Sequence, residues 1–150
     1  MPDSYQILEG DLNHLDQVMS LIQELADFEK EPLAVTNNAS QLKEDWLNDR
    51  FAFLVVEHGE KVIGFALCYY RYSTWKGLCL FLEDLYIQSA YRSKGIGGKL
   101  FDELVELARR NQCKLLNWQV LDWNTRAIDF YENKHAEISK IWYNGTLVIS

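Results

Sequence analysis

Three groups of residues in this chain are of types and spacings that could do chemistry. Adjacent carboxylates, Glu83 and Asp84, interrupt an otherwise apolar run from Leu78 to Gln88. A carboxylate in such a strand is costly unless paired, which makes two in succession informative; strand alternation sends them to opposite faces, so that one can face a substrate site while the other faces a different layer, and a structural salt bridge is the competing reading for either. Just downstream, Arg92-Ser93-Lys94-Gly95-Ile96-Gly97-Gly98-Lys99 joins that run to a helical pattern. Glycines there open the backbone to a ligand, and the first-turn amides of the following helix have no intrahelical acceptors, which suits an anion such as a phosphate. A tight strand-to-helix turn that uses glycine only for backbone freedom is the plainer reading. Further on, Asn124 and Tyr131 stand seven residues apart, about two helical turns, and so share one helix face. Asn124 also suits a helix cap, and Tyr131 an amphipathic core position with its hydroxyl at the rim.

Other chemistries find no support. A phosphate-binding P-loop needs Ser or Thr after its lysine, and Lys99 is followed by Leu100; the dinucleotide fingerprint needs a third glycine where Leu100 stands. No serine lies in a Gly-x-Ser-x-Gly elbow. His14, His58 and His135 form no pair at ligand spacing and fit surface or capping roles. The three cysteines, Cys68, Cys79 and Cys113, form no Cys-x-x-Cys pair and read as reduced, buried thiols, with a Cys68–Cys79 disulfide across neighbouring strands as the sharper alternative. A formal charge of -7 disfavours nucleic-acid binding and favours cationic substrates. No basic segment followed by an apolar block opens the chain and no apolar run is long enough to span a bilayer, so a soluble, intracellular protein without a membrane partner is expected.

The elements that must position these residues follow from periodicity. Tyr5 to Leu8 reads as a strand, and Leu12, Leu15, Val18, Met19, Ile22 and Leu25 recur at helical spacing from a cap at Asp11 to Phe28. A loop follows, then a short helix capped by Ser40. Ala52–Glu57 and Val62–Tyr72 are β-branched and aromatic strands around a hairpin turn, and Leu78–Gln88 is a long apolar strand suited to a central place. After the glycine turn come a helix, a strand over Leu115–Leu121, a helix over Asn124–Asn133, and a hairpin over Ile138–Ile149 around Asn144-Gly145, a type I′ signal. The order βααβββαβαββ and the 150-residue length predict one α+β domain over residues 1–150.

Arg92-x-x-Gly95-x-Gly97 after a strand resembles the acetyl-CoA signature of the GNAT N-acetyltransferases. Leu82-Glu83-Asp84-Leu85-Tyr86-Ile87, Val120-Leu121-Asp122-Trp123-Asn124 and Phe130-Tyr131 fall in the order and at the separations of its diamine (spermidine/spermine) acetyltransferase branch. Glu29-Lys30, Ser73-Thr74-Trp75-Lys76-Gly77 and Leu121-Asp122-Trp123-Asn124 look closest to members that acetylate thialysine and related small amines. The resemblance covers nearly the whole chain. It implies the GNAT fold, a mixed, mostly antiparallel central sheet flanked by helices. It also implies acetyl-CoA without a metal, and direct attack by a primary amine of a diamine, polyamine or thialysine-like amino acid.

As the resemblance implies, Glu83 is the base, directly or through water, and Tyr131 the acid. Leu85, Tyr86, Ile87, Arg92, Ser93, Lys94, Gly95, Ile96, Gly97, Gly98, Asn124, Ala127 and Tyr131 hold the cofactor. Phe28, Glu29, Glu83, Asp84, Asn117, Trp118 and Gln119 line the amine site. Phe28 stands where tyrosine is common, and His135 replaces a glycine at a position that often needs positive φ. A cytoplasmic homodimer is expected on the same ground. A protein or peptide N-acetyltransferase and a non-catalytic coenzyme A binding module are the alternatives.

Overall fold

The computed structural model describes residues 4–149. By its contacts the chain divides into two compact units, Met1–Trp118 and Gln119–Ser150.

The first unit is built on a five-stranded sheet in the order β1-β2-β3-β4-β5, from β1 (Tyr5–Glu9), β2 (Ala52–His58), β3 (Lys61–Ser73), β4 (Gly77–Ile87) and β5 (Leu115–Trp118). The first four pair antiparallel and β5 runs parallel to β4. Its helices are α1 (Leu15–Phe28), α2 (Ala39–Leu47) and α3 (Ile96–Arg110). The long apolar pattern of β3 and β4 belongs to interior strands covered on both faces. Leu15, Val18 and Leu21 of α1 and Leu42 of α2 form one core with Phe53, Val55, Phe65, Leu67 and Tyr86. Side chains alternate along a strand, so the intervening residues, including Leu54, Val56 and Ile87, face the other way, toward α3, which buries Ile96, Leu100 and Leu104. The Ile87 side chain lies beside Gly97 of α3, which fixes that assignment.

The second unit carries α4 (Thr125–Asn133). Asn124 caps it, its Oδ1 accepting from the Ala127 amide at 3.1 Å. His135 ends it with φ 66°, so this position does adopt the left-handed backbone, which histidine tolerates better than most residues.

Three expectations change. The hairpin over Ile138–Ile149 is absent: residues 136–149 contain no strand, and neither Asn144 nor Gly145 has the positive φ that a type I′ turn requires. The Asn144 side chain instead accepts from Gln119 Nε2 at 2.7 Å. β5 stops at Trp118 rather than Leu121, its pairing with β4 running only from Cys79–Leu115 to Leu82–Trp118. α2 is capped by Asn38, whose Oδ1 reaches the Gln41 amide at 2.8 Å, not by Ser40. The cysteines are the free thiols expected, Cys68 and Cys79 buried and Cys113 half-buried; Cys68 and Cys79 lie opposite Leu82 and Arg71, out of register for the alternative disulfide. Burial pushes the Cys68 thiol up to about 12, which keeps it unreactive. No helix among the described residues is long and apolar enough to cross a membrane.

Candidate active site

The acidic pair sits on an irregularity in the sheet. In the β3–β4 ladder Leu67 faces Asp84 and Cys68 faces Leu82, leaving Glu83 as an extra residue in a β-bulge. Regular alternation would send Glu83 and Asp84 to opposite faces, as the sequence suggests. A bulge breaks that rule and re-aims a side chain. Tyr69, two residues beyond Leu67 and so on the α1 face, donates from its hydroxyl to Glu83 Oε1 at 3.3 Å. Asp84, two residues before Tyr86, faces the same way. Both carboxylates therefore point to the α1 side.

Glu29, the C-cap residue of α1, joins them. Burial and then the Glu83 charge raise its pKa. Asp84 is raised to about 7, by burial first and then by Glu83 and Glu29. These three carboxylates thus form one crowded anionic surface at the end of α1, partly hidden from water. No group of His, Cys, Asp and Glu among the described residues, this one included, is arranged to hold a metal ion. Such a surface is complementary to positive charge.

Beyond Glu83 the sheet opens. The β4–β5 ladder ends at Leu82 and Trp118, so from Glu83 to Ile87 that flank of β4 has no strand partner among the described residues. Leu85, Tyr86 and Ile87 pair on their other side with Ala66, Phe65 and Gly64. An extended ligand arm can lie along such a flank and use its amides as a further strand would.

The glycine turn follows at once. Ser89–Tyr91 form a short 3-10 turn, Arg92 is extended, Ser93 has φ 63°, and Gly95 caps α3 in the left-handed region with φ 79°. A side chain at Gly95 would meet nothing within 4 Å, and one at Gly97 only Ile87 at 3.9 Å. Thus glycine at 95 serves backbone conformation, and the space over the turn is open. Lys99 closes the first helical bond to the Gly95 carbonyl at 3.2 Å, and the Ile96 and Gly97 amides precede it at the positive end of the α3 dipole. Ser93 and Lys94 are exposed, Gly98 half-buried.

The other expected residues fall into separate places. Trp118 meets Phe101 of α3 edge to face, with ring centres 5.6 Å apart, so it lies on the α3 side of the sheet. Asn117, next to it and paired with Phe81, takes the opposite side, that of the carboxylates. Phe28 precedes Glu29 and is 43% exposed. In the second unit, Gln119 is held by Asn144, and Asn124 and Ala127 share the cap bond. Tyr131 is buried in α4 against Phe130, ring centres 5.2 Å apart. Sequence reasoning missed Tyr69 and Glu24. The Tyr86 hydroxyl donates to Glu24 Oε1 at 3.0 Å, and Gln88 Nε2 donates to both Glu24 oxygens. Only long-range pairing marks these residues, and no local motif could have found them.

The sequence model of the Acetyltransferase (GNAT) family matches residues 16–136. Thialysine N-epsilon-acetyltransferase of Caenorhabditis elegans is 40% identical over 129 residues, covering 86% of this chain and 81% of the relative. Spermidine/spermine N(1)-acetyltransferase-like protein 1 of Homo sapiens is 32% identical over 143 residues, covering 89% of this chain but 21% of that longer protein. Among solved structures, an aminoglycoside acetyltransferase from an uncultured soil metagenomic sample superposes with a TM-score of 0.83 at 18% identity, covering 97% of this chain and 98% of that one; this likeness is one of fold.

Proposed function

This chain belongs to the GNAT acetyltransferase family, and from that premise we propose that it transfers an acetyl group from acetyl-CoA to a primary amine of a small cationic substrate. Diamines, polyamines and thialysine-like amino acids are the acceptors of that class. The observation that carries the choice is the bulge at Glu83, which turns two successive carboxylates toward Glu29 on one face. A cation is what that surface lacks.

Acetyl-CoA supplies an activated acetyl thioester when bound. The residues present fit it: the open, left-handed Gly95 turn and the α3 amides suit its pyrophosphate, and the unpartnered β4 flank at Leu85 to Ile87 suits its extended arm. Asn124 and Ala127 complete the cofactor set in this reading. Its hardest requirement is a neutral amine. A lysine-type amine with pKa about 10.4 is neutral about once in 2,500 at pH 7, so providing the free base is worth up to roughly 4.6 kcal/mol. Glu83 takes that proton, directly or through water, while Asp84 and Glu29 hold the positive end of the acceptor. Tyr131 gives its hydroxyl proton to the departing sulfur. Residues 1–150 work as one catalytic domain in this reading, with no metal. Its assembly as a cytoplasmic homodimer rests on family resemblance alone.

Thiol release from acetyl-CoA, followed with a panel of diamines, polyamines, thialysine and lysine, tests the proposal. Turnover with at least one of them is expected. Acetylation of peptides while every small amine stays inert would replace the acceptor class, and no turnover at all would sink the enzymatic reading.

A further inference from the structure

Arg92 opens the glycine turn, where its charge suits an anion, yet its side chain is built into something else. The guanidinium lies 5.1 Å from the centre of the Phe28 ring and 5.2 Å from that of Tyr86. Its Nε donates to the Ile87 carbonyl at 2.8 Å. Two ring contacts and one backbone bond fix the plane of the group, a task for which a flexible ammonium is poorly suited. Phe28 is the last residue of α1, and Tyr86 and Ile87 are the last of β4. Arg92 therefore joins the end of one element to the end of the other.

That junction stands where the structure needs one. Glu29, next to Phe28, faces Glu83 and Asp84 of β4, so three acidic groups meet where α1 ends. One turn back, Glu24 ties α1 to Tyr86 and Gln88. Past Glu24, Leu25 packs against the core, and the stack of Arg92 on Phe28 joins the last residue of the helix to the end of β4.

We propose that Arg92 is a positioning residue: stacked on Phe28 and Tyr86, it holds the Phe28–Glu29 end of α1 against β4 and so sets the amine-binding carboxylate surface from the first residue of the coenzyme turn. The inference rests on the acetyltransferase reading and extends it, since it makes one side chain serve both substrates.

Arg92→Lys keeps the charge and loses the planar stack, so it separates positioning from anion binding. The amine KM is expected to rise about five- to tenfold with a smaller change in kcat, while the acetyl-CoA KM moves less than about twofold. Phe28→Leu should raise the amine KM similarly, and the Arg92→Lys/Phe28→Leu double variant should be no worse than either single one. Hydrogen exchange gives a readout independent of turnover. The Glu29 and Glu31 amides, bonded to the Leu25 and Ala26 carbonyls, should exchange about tenfold faster in Arg92→Lys, with the first half of α1 unchanged. A rise confined to the acetyl-CoA KM, additive single effects, or unaltered exchange at Glu29 and Glu31 would overturn the proposal. If the unmodified protein acetylates no amine, the functional reading fails while the exchange data still judge the role of Arg92.

Discussion

The Tyr69 hydroxyl donates to Glu83 at 3.3 Å across the β3–β4 bulge, which fixes the face on which the extra residue of β4 presents its carboxylate. Without the bulge, alternation would place Glu83 on the α3 side, away from Asp84 and Glu29. One residue of register thus decides whether the acidic groups act together.

Glu83→Gln keeps the shape and removes the proton acceptor. At pH 7 kcat/KM for the amine should fall about 10²- to 10³-fold. The deficit should shrink as the pH approaches about 10, where the amine is increasingly neutral in solution. A loss that stays constant from pH 7 to pH 10 would contradict a role in deprotonation. Tyr69→Phe, which removes only the donor to Glu83, should cost less than about tenfold.

Tyr131→Phe preserves the ring packed on Phe130 and deletes the proposed acid. We expect kcat to drop by about 10- to 10²-fold, with coenzyme A affinity by calorimetry within about twofold of the unmodified protein. Full activity in this variant would assign leaving-group protonation elsewhere.

Asp84 links function to stability. Its folded pKa of about 7 lies above its ordinary value of 3.8, so the folded protein binds this proton more tightly than the unfolded chain does. The penalty is absent below about pH 4, grows as pH rises to about 7, and is complete above that. Asp84→Asn should therefore stabilise the fold by about 1–3 kcal/mol at pH 8 and hardly at all at pH 4. Urea unfolding at both values measures the difference, and the same variant should weaken amine binding. Equal effects at the two pH values would refute the linkage.

Gly95 and Gly97 should respond in opposite senses. Gly95→Ala meets no clash but must hold φ 79°, which costs about 1–2 kcal/mol. Gly97→Ala lies within α3 with only ordinary contact to Ile87 and should gain about 0.5–1 kcal/mol. If the turn cradles the pyrophosphate, Gly97→Ala should nonetheless raise the acetyl-CoA KM. Thermal unfolding paired with KM for each variant checks both halves.

Much was legible in the sequence because it is written locally. Asp11 caps the 3-10 turn Leu12–His14 that leads into α1, its Oδ1 accepting from the Asn13 amide at 2.9 Å. The period of α1 marked Leu15 and Val18 of its buried face, and the glycines at 95 and 97 marked the turn into α3. The element order was readable as far as α4, and ordered motifs pointed to the family. The local signal failed at Asn144-Gly145, since a turn sequence forms a hairpin only when the flanking strands pair.

Relations between distant segments had to wait for the tertiary structure. Whether Glu83 and Asp84 share a face depends on which residues of β3 they oppose, and a single extra residue reverses the answer without any mark in β4 itself. The length of β5 is set by how far it stays paired with β4, which ends at Leu82 and Trp118. Arg92 reads as an anion contact from its neighbours in the chain; its stack on Phe28, 64 positions earlier, exists only because α1 and β4 end side by side. Sequence by itself determined which residues could do the chemistry. The convergence of Glu29, Glu83 and Asp84 on one surface was decided by strand register and helix packing, which sum weak contacts over the whole first unit and leave no short-range pattern to read.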